Sequence, residues 1–546
     1  MRWWVAATLL LSAWVILLPA SARPWELLPG DGTYPDLPGT VQYFWVLQEH
    51  GFIGLAHDRM LMWPATTDLL ALNGFPLDAL ACQPLLAVFG WPAGFTIFQV
   101  LSLWCVGLSM AWLAGRWWRS PIAALGAGVA YQVSGPLVRE MAYGRPSQVF
   151  AAIFAPLALG LLARALVERR DRDALLAGVM LGLSALAYWY AGFFYGLGLG
   201  VLLVFGLIER KALLRPSLLC AAGALAVVAL PAAYTVEAMG HVGGADANLW
   251  TLVHHSSDRV PLAAVLEQRD LFGVLHEGIV GLTPLCFGAA AFALWRAPAR
   301  RWAAPLCWVL VGVAFACGPW LRLSSDTLLP GPFAPVPMIP MLRRLWWPDR
   351  AMLLAAPAWA LLAGGGLAAL TKRWRSGWVA LPVTGLLLVE AFLALPTLPG
   401  PTTDGTPSAH ALALSRGTGP ALVLPQGGAA SGANLHMLLD QVFHGRPLVN
   451  GAMPPSSSTA PKDYAIISSL PAVEYLYQCV GDPAFRSSLP ESMETLRRIG
   501  IRDVYLDPEE LSVGSAEREE YVACVEALLG APAETHASLR VYSLDR

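Results

Sequence analysis

Two aspartates, Asp31 and Asp36, are the first residues of the chain whose type and spacing could carry chemistry. They lie five residues apart in a stretch with three prolines and three glycines, just after the first long apolar run. A carboxylate in such a place can serve as a general base or as a ligand of a divalent metal. Asp-Gly and Pro-Asp are also typical of solvated turns, so a purely structural role is the alternative.

Two groups of charged and polar residues beside apolar runs could bind an anion. The residues are Glu140, Arg145 and Gln148 in the first group and Arg343, Arg344 and Arg350 in the second. Charges this close to hydrocarbon are costly and are commonly functional. Two alternatives stay open, because arginines can extend along a span toward the interface and basic residues can bind lipid headgroups without any catalysis.

The composition indicates the class of protein that must position these residues. Of the 546 residues, 56% are hydrophobic and 14% are charged, against roughly 25% charged in an average soluble domain. The mean hydropathy is +0.53. The formal net charge of −2 gives no support for nucleic-acid binding, and the eight cysteines form no CxxC motif or Cys/His pairing, which argues against zinc and redox motifs. The chain is therefore expected to be a polytopic α-helical membrane protein.

Apolar windows long enough to cross a bilayer recur through most of the chain. Eleven spans are predicted, at about 4–20, 93–114, 121–137, 148–166, 174–190, 192–208, 217–235, 281–296, 303–320, 351–370 and 378–396. The long apolar run over 174–208 is divided near Tyr188, because interfacial aromatic residues followed by Gly192 suit a turn at the membrane surface.

The distribution of basic residues orients these spans. With the N-terminus in the cytoplasm, the cytoplasmic side contains 16 basic and four acidic residues, whereas the outer loops before the tail contain ten basic and 16 acidic residues. The first span also resembles a signal peptide ending in Ala20-Ser21-Ala22. Residue 23 begins outside whether or not that span is cleaved, so the C-terminal tail is predicted to be extracytoplasmic.

Two domains are predicted, a transmembrane domain over residues 1–397 and a small soluble α/β domain over 398–546. A linker rich in Pro, Gly and Thr separates them, and 18% of the tail is charged against 12% of the preceding chain. In the tail, strands are predicted at Ala421–Pro425, Pro447–Asn450 and Ile501–Leu506, and helices at Leu435–Phe443 and Glu491–Ile499. Outer loop 1 covers about 21–92, and its aromatic stretch Val41–His50 is predicted to be an interfacial helix.

The order of the features resembles a known family. An acid-bearing outer loop with interfacial helices follows the first span, and a Gly-x-x-x-Gln motif (Gly144 to Gln148) leads into a span with Pro-Leu-Ala-Leu (Pro156–Leu159). A junction of two spans contains Tyr188-Trp189-Tyr190, and an Arg-x-x-x-x-Pro-x-Arg motif (Arg343 to Arg350) precedes a later span. This architecture is similar to that of bacterial membrane glycosyltransferases of the GT-C fold, particularly the YfhO-like branch.

The resemblance implies a sugar donor carried on a polyprenyl phosphate and a glycan or lipid acceptor outside the bacterial inner membrane. The family's first-loop acid corresponds to Asp31 or, as the alternative, to Asp36, acting as general base with inversion at the anomeric carbon. Arg145 or Arg350 would hold the donor phosphate, because arginine binds phosphate as a fork. Arg145 stands where the family commonly has His. No cofactor is implied, although both acids together could hold a divalent metal.

Two other functions remain open at this stage. A protein of this shape could bind lipid or anchor an assembly without catalysis, or it could transport a lipid-linked sugar. Transporters usually place polar residues near the bilayer midplane, whereas the acidic residue within the predicted spans is Glu390. The position of the charges at the outer surface therefore favours the transferase.

The soluble tail contains two cysteines, Cys479 and Cys524. An extracytoplasmic compartment permits disulfides. A bridge between them would close a loop of about 45 residues and contribute roughly 3–4 kcal/mol. Two free thiols are the alternative, because spacing along the chain does not give the geometry of the pair.

Overall fold

The computed structural model describes most of the chain. The described residues are 3–33, 36–70, 74–209, 213–239, 284–316, 318–322, 328–339, 342, 345, 348–371, 380–395, 398–425, 433–449, 466–467, 469–478, 489–511, 514–536 and 538–544. Arg343, Arg344 and Cys479 lie outside these ranges.

Helices make up most of the described chain. They are α1 (Trp3–Ile16), α2 (Asp36–Ala56), α3 (Leu77–Phe89), α4 (Ala93–Trp117), α5 (Pro121–Gln132), α6 (Gly135–Ala142), α7 (Pro146–Ala152), α8 (Phe154–Glu168), α9 (Asp171–Ala187), α10 (Trp189–Ile208), α11 (Leu214–Met239), α12 (Pro284–Arg296), α13 (Ala299–Ala316), α14 (Met352–Thr371), α15 (Ala380–Ala394), α16 (Ala409–Leu414), α17 (Ala433–His444), α18 (Pro471–Gln478), α19 (Leu489–Arg498) and α20 (Ser515–Leu529). The strands are β1 (Leu27–Pro29), β2 (Trp320–Arg322), β3 (Leu328–Pro330), β4 (Thr402–Asp404), β5 (Ala421–Leu424), β6 (Asp503–Leu506), β7 (Glu534–His536) and β8 (Leu539–Ser543).

The chain forms two compact units. The first comprises Met1–Gly30, Gly74–Ala233 and Asp246–Thr403, and the second comprises Asp31–Asn73, Tyr234–Ala245 and Asp404–Arg546. The second unit thus contains the middle of outer loop 1, which the sequence had assigned to the transmembrane domain, in addition to the tail.

The first unit consists mainly of apolar helices. In its described part, each of the eleven predicted spans overlaps a helix or a pair of consecutive helices. Within the described residues, six helices are long and apolar enough to cross a membrane, and the bent pair of α5 and α6 would make a seventh. The full number of eleven stays a prediction. The predicted division near Tyr188 is confirmed, because α9 ends at Ala187 and α10 begins at Trp189.

Three consecutive glycines in α14 allow close helix packing in the first unit. A Cβ atom on Gly364 would lie 2.6 Å from the carbonyl oxygen of Ala123 in α5, and one on Gly366 would overlap the carbonyl oxygen of Ala289 in α12. Small residues allow helix backbones to approach at this distance in membranes. The short 3₁₀ turn that precedes α14, Pro348–Ala351, packs against α13 and α10.

The second unit contains a four-stranded sheet with the order β5-β6-β8-β7. Strands β5 and β6 are parallel, whereas β8 is antiparallel to both of its neighbours. The predicted strands at Ala421–Pro425 and Ile501–Leu506 are found as β5 and β6, and the two predicted helices are found as α17 and α19. Near the predicted third strand, Leu448 forms a single parallel bridge with Ala421. Cys524 in α20 is disulfide-bonded.

Helix α2 corresponds to the predicted interfacial helix, but its environment differs from the expectation. Tyr43, Phe44 and Trp45 are all buried within the protein, whereas an interfacial helix would expose such residues to lipid. The reason is that α2 packs against α17 of the tail. Gly51, with a φ of +64°, kinks α2 and changes the direction of the chain over the last residues of the helix.

Candidate functional site

The turn after α6 brings two predicted site residues together. Gly144 has a φ of +70°, and its N–H donates to the carbonyl of Met141 while the N–H of Arg145 donates to the carbonyl of Glu140. These two bonds form a Schellman motif, which requires a left-handed residue after the helix and favours glycine there. The chain therefore reverses at Gly144 and returns the side chain of Arg145 to that of Glu140.

Glu140 lies between two arginines. Its Oε1 accepts a hydrogen bond from Arg139 Nη2 at 3.0 Å, its Oε2 accepts one from Arg145 Nη1 at 2.9 Å, and its side chain is only 2% exposed. Arg139 Nη2 also lies 2.9 Å from Asp349 Oδ2 in the turn before α14. Both carboxylates are buried, so arginine pairing is what makes their charge tolerable there.

Arg350 is positioned by aromatic residues at the junction of α9 and α10. The rings of Tyr188 and Tyr190 are stacked, with centroids 5.2 Å apart. The guanidinium carbon of Arg350 lies 5.1 Å and 5.0 Å from the two ring centroids, which are cation–π distances. A similar contact, at 4.9 Å, places Arg145 over Tyr143. The charge of Arg350 also acts electrostatically on Glu140.

These five charged residues, Arg139, Glu140, Arg145, Asp349 and Arg350, are called the arginine cluster below. Three cations and two carboxylates give it a formal charge of +1, so it is complementary to an anion. In the part of the chain that the structure describes, the buried Nε of Arg139 has no hydrogen-bond partner. Guanidinium groups held in place by carboxylates and aromatic rings are well suited to bind a phosphate.

An apolar groove borders the opposite side of α6. Val138, Met141 and Ala142 line this small groove, together with residues 16–18 at the end of α1 and residues of the segment 398–402. Val138, Met141 and Ala142 recur at a spacing of three and four residues, so they share one face of α6. Arg139 and Glu140 point away from that face, and α6 therefore separates an apolar groove from a charged cluster.

Asp31 and Asp36 belong to the second unit. Oδ1 of Asp31 accepts hydrogen bonds from the backbone N–H and the hydroxyl of Thr33, at 2.9 Å and 2.7 Å, which is an Asx turn. Asp36 is the first residue of α2, where a carboxylate interacts favourably with the helix dipole. Among the described residues, no group of three or more His, Cys, Asp or Glu side chains could hold a metal ion.

Comparison with known proteins identifies the fold of this arrangement. No protein-family model and no curated protein matches the chain. Among solved structures, the mycobacterial arabinofuranosyltransferase AftD is 15% identical with a TM-score of 0.58, and the alignment covers 100% of this chain and 40% of AftD. ArnT from Cupriavidus metallidurans, solved with undecaprenyl phosphate, is 14% identical with a TM-score of 0.54, over 99% of this chain and 97% of ArnT.

A third structure, the Archaeoglobus fulgidus oligosaccharyltransferase, is 13% identical with a TM-score of 0.52, over 92% of this chain and 69% of its own. The chain has the GT-C fold. The predicted resemblance to GT-C glycosyltransferases is therefore confirmed, whereas the YfhO-like branch stays a prediction. The chain spans less than half the length of AftD.

Within this GT-C fold, the structure unites some of the predicted site residues. Glu140, Arg145 and Arg350 come together in the arginine cluster. Gln148 lies two residues into α7 and is buried, and its Oε1 has no hydrogen-bond partner among the described residues. The other two predicted arginines, Arg343 and Arg344, lie outside the described residues.

Two residues of the arginine cluster and one charged residue near Gln148 were missing from the predicted set. Arg139 and Asp349 pair across the first unit, and buried Asp78 in α3 has a hydrogen bond to Ser147, next to Gln148. One feature of the sequence could have indicated two of these residues, because Arg139 and Asp349 each adjoin a predicted site residue. Nothing in the local sequence of Asp78 distinguishes it from a helix-start residue.

Proposed function

We propose that this protein transfers a sugar from a polyprenyl-phosphate donor to a glycan or lipid acceptor outside the bacterial inner membrane. The observation that carries the proposal is the arginine cluster, a net-cationic group whose arginines are positioned by buried carboxylates and aromatic rings in a GT-C fold. Arg145 and Arg350 would hold the donor phosphate, with Arg343 and Arg344 as further candidates. The solved structure of ArnT with undecaprenyl phosphate is consistent with this class of donor.

The chemistry of such a donor explains why few catalytic groups would suffice. The leaving group is a phosphate, which departs without a proton, and the arginines would stabilise the charge that develops on it. The acceptor hydroxyl needs one general base, for which we propose Asp31, with Asp36 as the alternative. Attack from the side opposite the phosphate inverts the anomeric carbon. Glu140 would keep Arg139 and Arg145 in place rather than contact the substrate.

The substitution Asp31→Asn tests the proposed base. Asparagine keeps the size of the side chain and the Oδ1 acceptor of the Asx turn while removing the charge, so folding should be unchanged. Transfer should fall by roughly 10²–10⁴-fold, and Asp36→Asn should cost less. The donor for the assay is the lipid-linked sugar that accumulates in a strain from which the gene for this protein has been deleted, and mass spectrometry identifies that sugar.

Asp404 offers a matched control for this experiment. Its Oδ1 accepts hydrogen bonds from the backbone N–H and the hydroxyl of Thr406, at 2.9 Å and 2.7 Å, so Asp404-Gly-Thr406 forms the same turn as Asp31-Gly-Thr33. Asp404→Asn should leave transfer unchanged. Equal effects of Asp31→Asn and Asp404→Asn would assign Asp31 to the turn and refute its role as base.

The Asx turn of Asp31 also favours a second candidate function, lipid binding without catalysis. An aspartate engaged by its own loop is typical of a structural residue. A non-catalytic protein would bind undecaprenyl phosphate in nanodiscs but would leave the lipid-linked sugars of a deletion strain unchanged. Glu390 accepts a hydrogen bond from the N–H of Leu285, one of the N–H groups at the start of α12 that have no partner within the helix.

The proposed orientation places the acceptor and the tail on the outer side of the membrane. A reporter that is active only outside the cytoplasm should be active when fused after Thr397 and silent when fused after Arg375. The opposite pattern would contradict the orientation, because the parity of the predicted spans determines both results.

A further inference from the structure

A segment of outer loop 1 forms part of the sheet region of the second unit. The carbonyl of Met60 accepts a hydrogen bond from the N–H of Leu448 at 2.8 Å, and the N–H of Trp63 donates to the carbonyl of Leu448 at 3.0 Å. Leu448 in turn bridges to Ala421 at the edge of the four-stranded sheet. Residues Met60 to Trp63 thus lie beside Leu448, one backbone segment outside the edge strand β5, and backbone hydrogen bonds hold them there.

The side chains of this segment share a core with the tail. Leu61, Met62 and Ala65 are at most 7% exposed, and they belong to the same buried cluster as Leu438 and Tyr505. The indole N–H of Trp63 donates to the carbonyl of Ile499 at 3.0 Å. Burial of apolar side chains on both sides means that neither the loop nor the tail completes this core alone.

Gln441 links the loop segment to the tail through one amide group. It is fully buried in α17, and its Nε2 donates to the carbonyl of Met60 at 2.7 Å and to that of Arg446 at 3.0 Å. The two N–H groups of one amide therefore bind one carbonyl from the loop and one from the tail. Helix α2, which begins at Asp36, packs on the same helix α17.

We propose that the tail positions the acid-bearing segment 31–73, with Gln441 as a positioning residue that acts through Met60 and α2. The inference rests on the proposed function, since it assigns the tail a role in the reaction of Asp31 or Asp36. The tail then acts as the support that sets where the general base lies, and the loop does not move independently of it.

Gln441→Met tests the positioning role. Methionine keeps the length of the side chain but removes both N–H donors, so the carbonyls of Met60 and Arg446 each lose one bond. Tyr521→Phe is the control, because it removes the hydrogen bond from Tyr521 to the carbonyl of Leu476 in the other apolar cluster of the second unit. Both variants lose hydrogen bonds within the tail, and only Gln441→Met touches the loop.

Two measurements on the full chain in detergent decide the proposal. Hydrogen exchange over residues 36–63 should become faster in Gln441→Met and stay at the wild-type rate in Tyr521→Phe. With the lipid-linked donor from the deletion strain, Gln441→Met should lower kcat about 10-fold or more with KM within about 2-fold, because a misplaced base reduces the chemical step and not donor binding. Tyr521→Phe should keep the wild-type kcat.

Equal exchange over 36–63 in the two variants would overturn the proposal, because the loop would then respond only to the general stability of the tail. A wild-type kcat in Gln441→Met, together with faster exchange, would overturn it as well. If no donor accumulates in the deletion strain, the proposed function fails instead. The exchange comparison still tells in that case whether Gln441 holds the loop.

Discussion

Removing the charge of Glu140 should reveal how much the arginine cluster depends on it. The substitution Glu140→Gln keeps the shape of the side chain. One of its two terminal atoms becomes a donor, so it can accept from Arg139 or from Arg145 but not from both. The formal charge of the cluster rises from +1 to +2, within a region where Glu140 is 2% exposed and Arg139 and Arg145 are 17% and 21% exposed.

The expected loss of stability follows from this geometry. Breaking a buried ion pair by removing one partner typically costs about 3–5 kcal/mol, because the remaining charge stays buried and uncompensated. Arg139 keeps its contact with Asp349, so the cost should lie near the lower end, at about 3 kcal/mol. That value corresponds to a change of roughly 10²-fold in the unfolding equilibrium.

The free energy of unfolding can be measured by titration with a denaturing detergent in mixed micelles. Glu26→Gln is the matched control, because Glu26 pairs with Arg23 at 2.9 Å while both side chains are 58% exposed. An exposed pair of this kind contributes about 0–1 kcal/mol. If Glu140→Gln were no less stable than Glu26→Gln, the ion pairs of the cluster would not hold it together and the proposed phosphate site would lose its basis.

Three further predictions concern Arg350, the two cysteines of the tail and the His410–Asp507 pair. Arg350→Lys keeps the charge but loses the planar fork, and it should weaken binding of undecaprenyl phosphate without abolishing it. Thiol labelling of the unreduced, denatured protein should leave Cys479 and Cys524 unlabelled, and two free thiols there would exclude the predicted bridge. The hydrogen bond between His410 Nε2 and Asp507 Oδ2, 3.0 Å long, raises the pKa of His410 despite partial burial. Burial of Asp507 acts to raise its pKa. The hydrogen bond from His410 and the one from the backbone N–H of Glu509 nevertheless hold the pKa of Asp507 below the usual value. The pair therefore stabilises the tail most between about pH 4 and 6.5. Its contribution is lost at higher pH as His410 loses its proton, and at lower pH as Asp507 gains one. Exchange rates of tail amides should accordingly differ most between wild type and His410→Gln in that range, and a pH-independent difference would contradict this pairing.

Much of the helical architecture could be predicted because it depends on local properties of the chain. Hydropathy over about 20 residues decides whether a segment can cross a bilayer, and the described part of each predicted span overlaps one helix or two consecutive helices. The break at Tyr188 was visible for the same reason, since aromatic residues and a following glycine mark an interface over a few neighbouring positions. Strands β5 and β6 were recognisable as short apolar runs between turn residues.

The sequence also identified three of the five residues of the arginine cluster but could not assemble it. Glu140 and Arg145 were chosen because they lie near one another beside an apolar run, and the Schellman turn at Gly144 then brings them into contact. The pairing of Arg139 with Asp349 depends on how α6 meets the turn before α14. Local composition carries no information on such a pairing, because ion pairs between distant segments form only when packing brings the charges within a few ångströms.

Domain organisation was likewise decided by tertiary structure. Composition predicted a boundary between a polar tail and an apolar region, because charge content changes at the linker. It could not show that Met60 pairs with Leu448, or that the aromatic residues of α2 are buried against the tail rather than exposed to lipid. Aromatic residues are common both in protein cores and in membrane interfaces, so the sequence pattern of α2 fits either environment, and the packing of α17 against α2 decides which of the two it occupies.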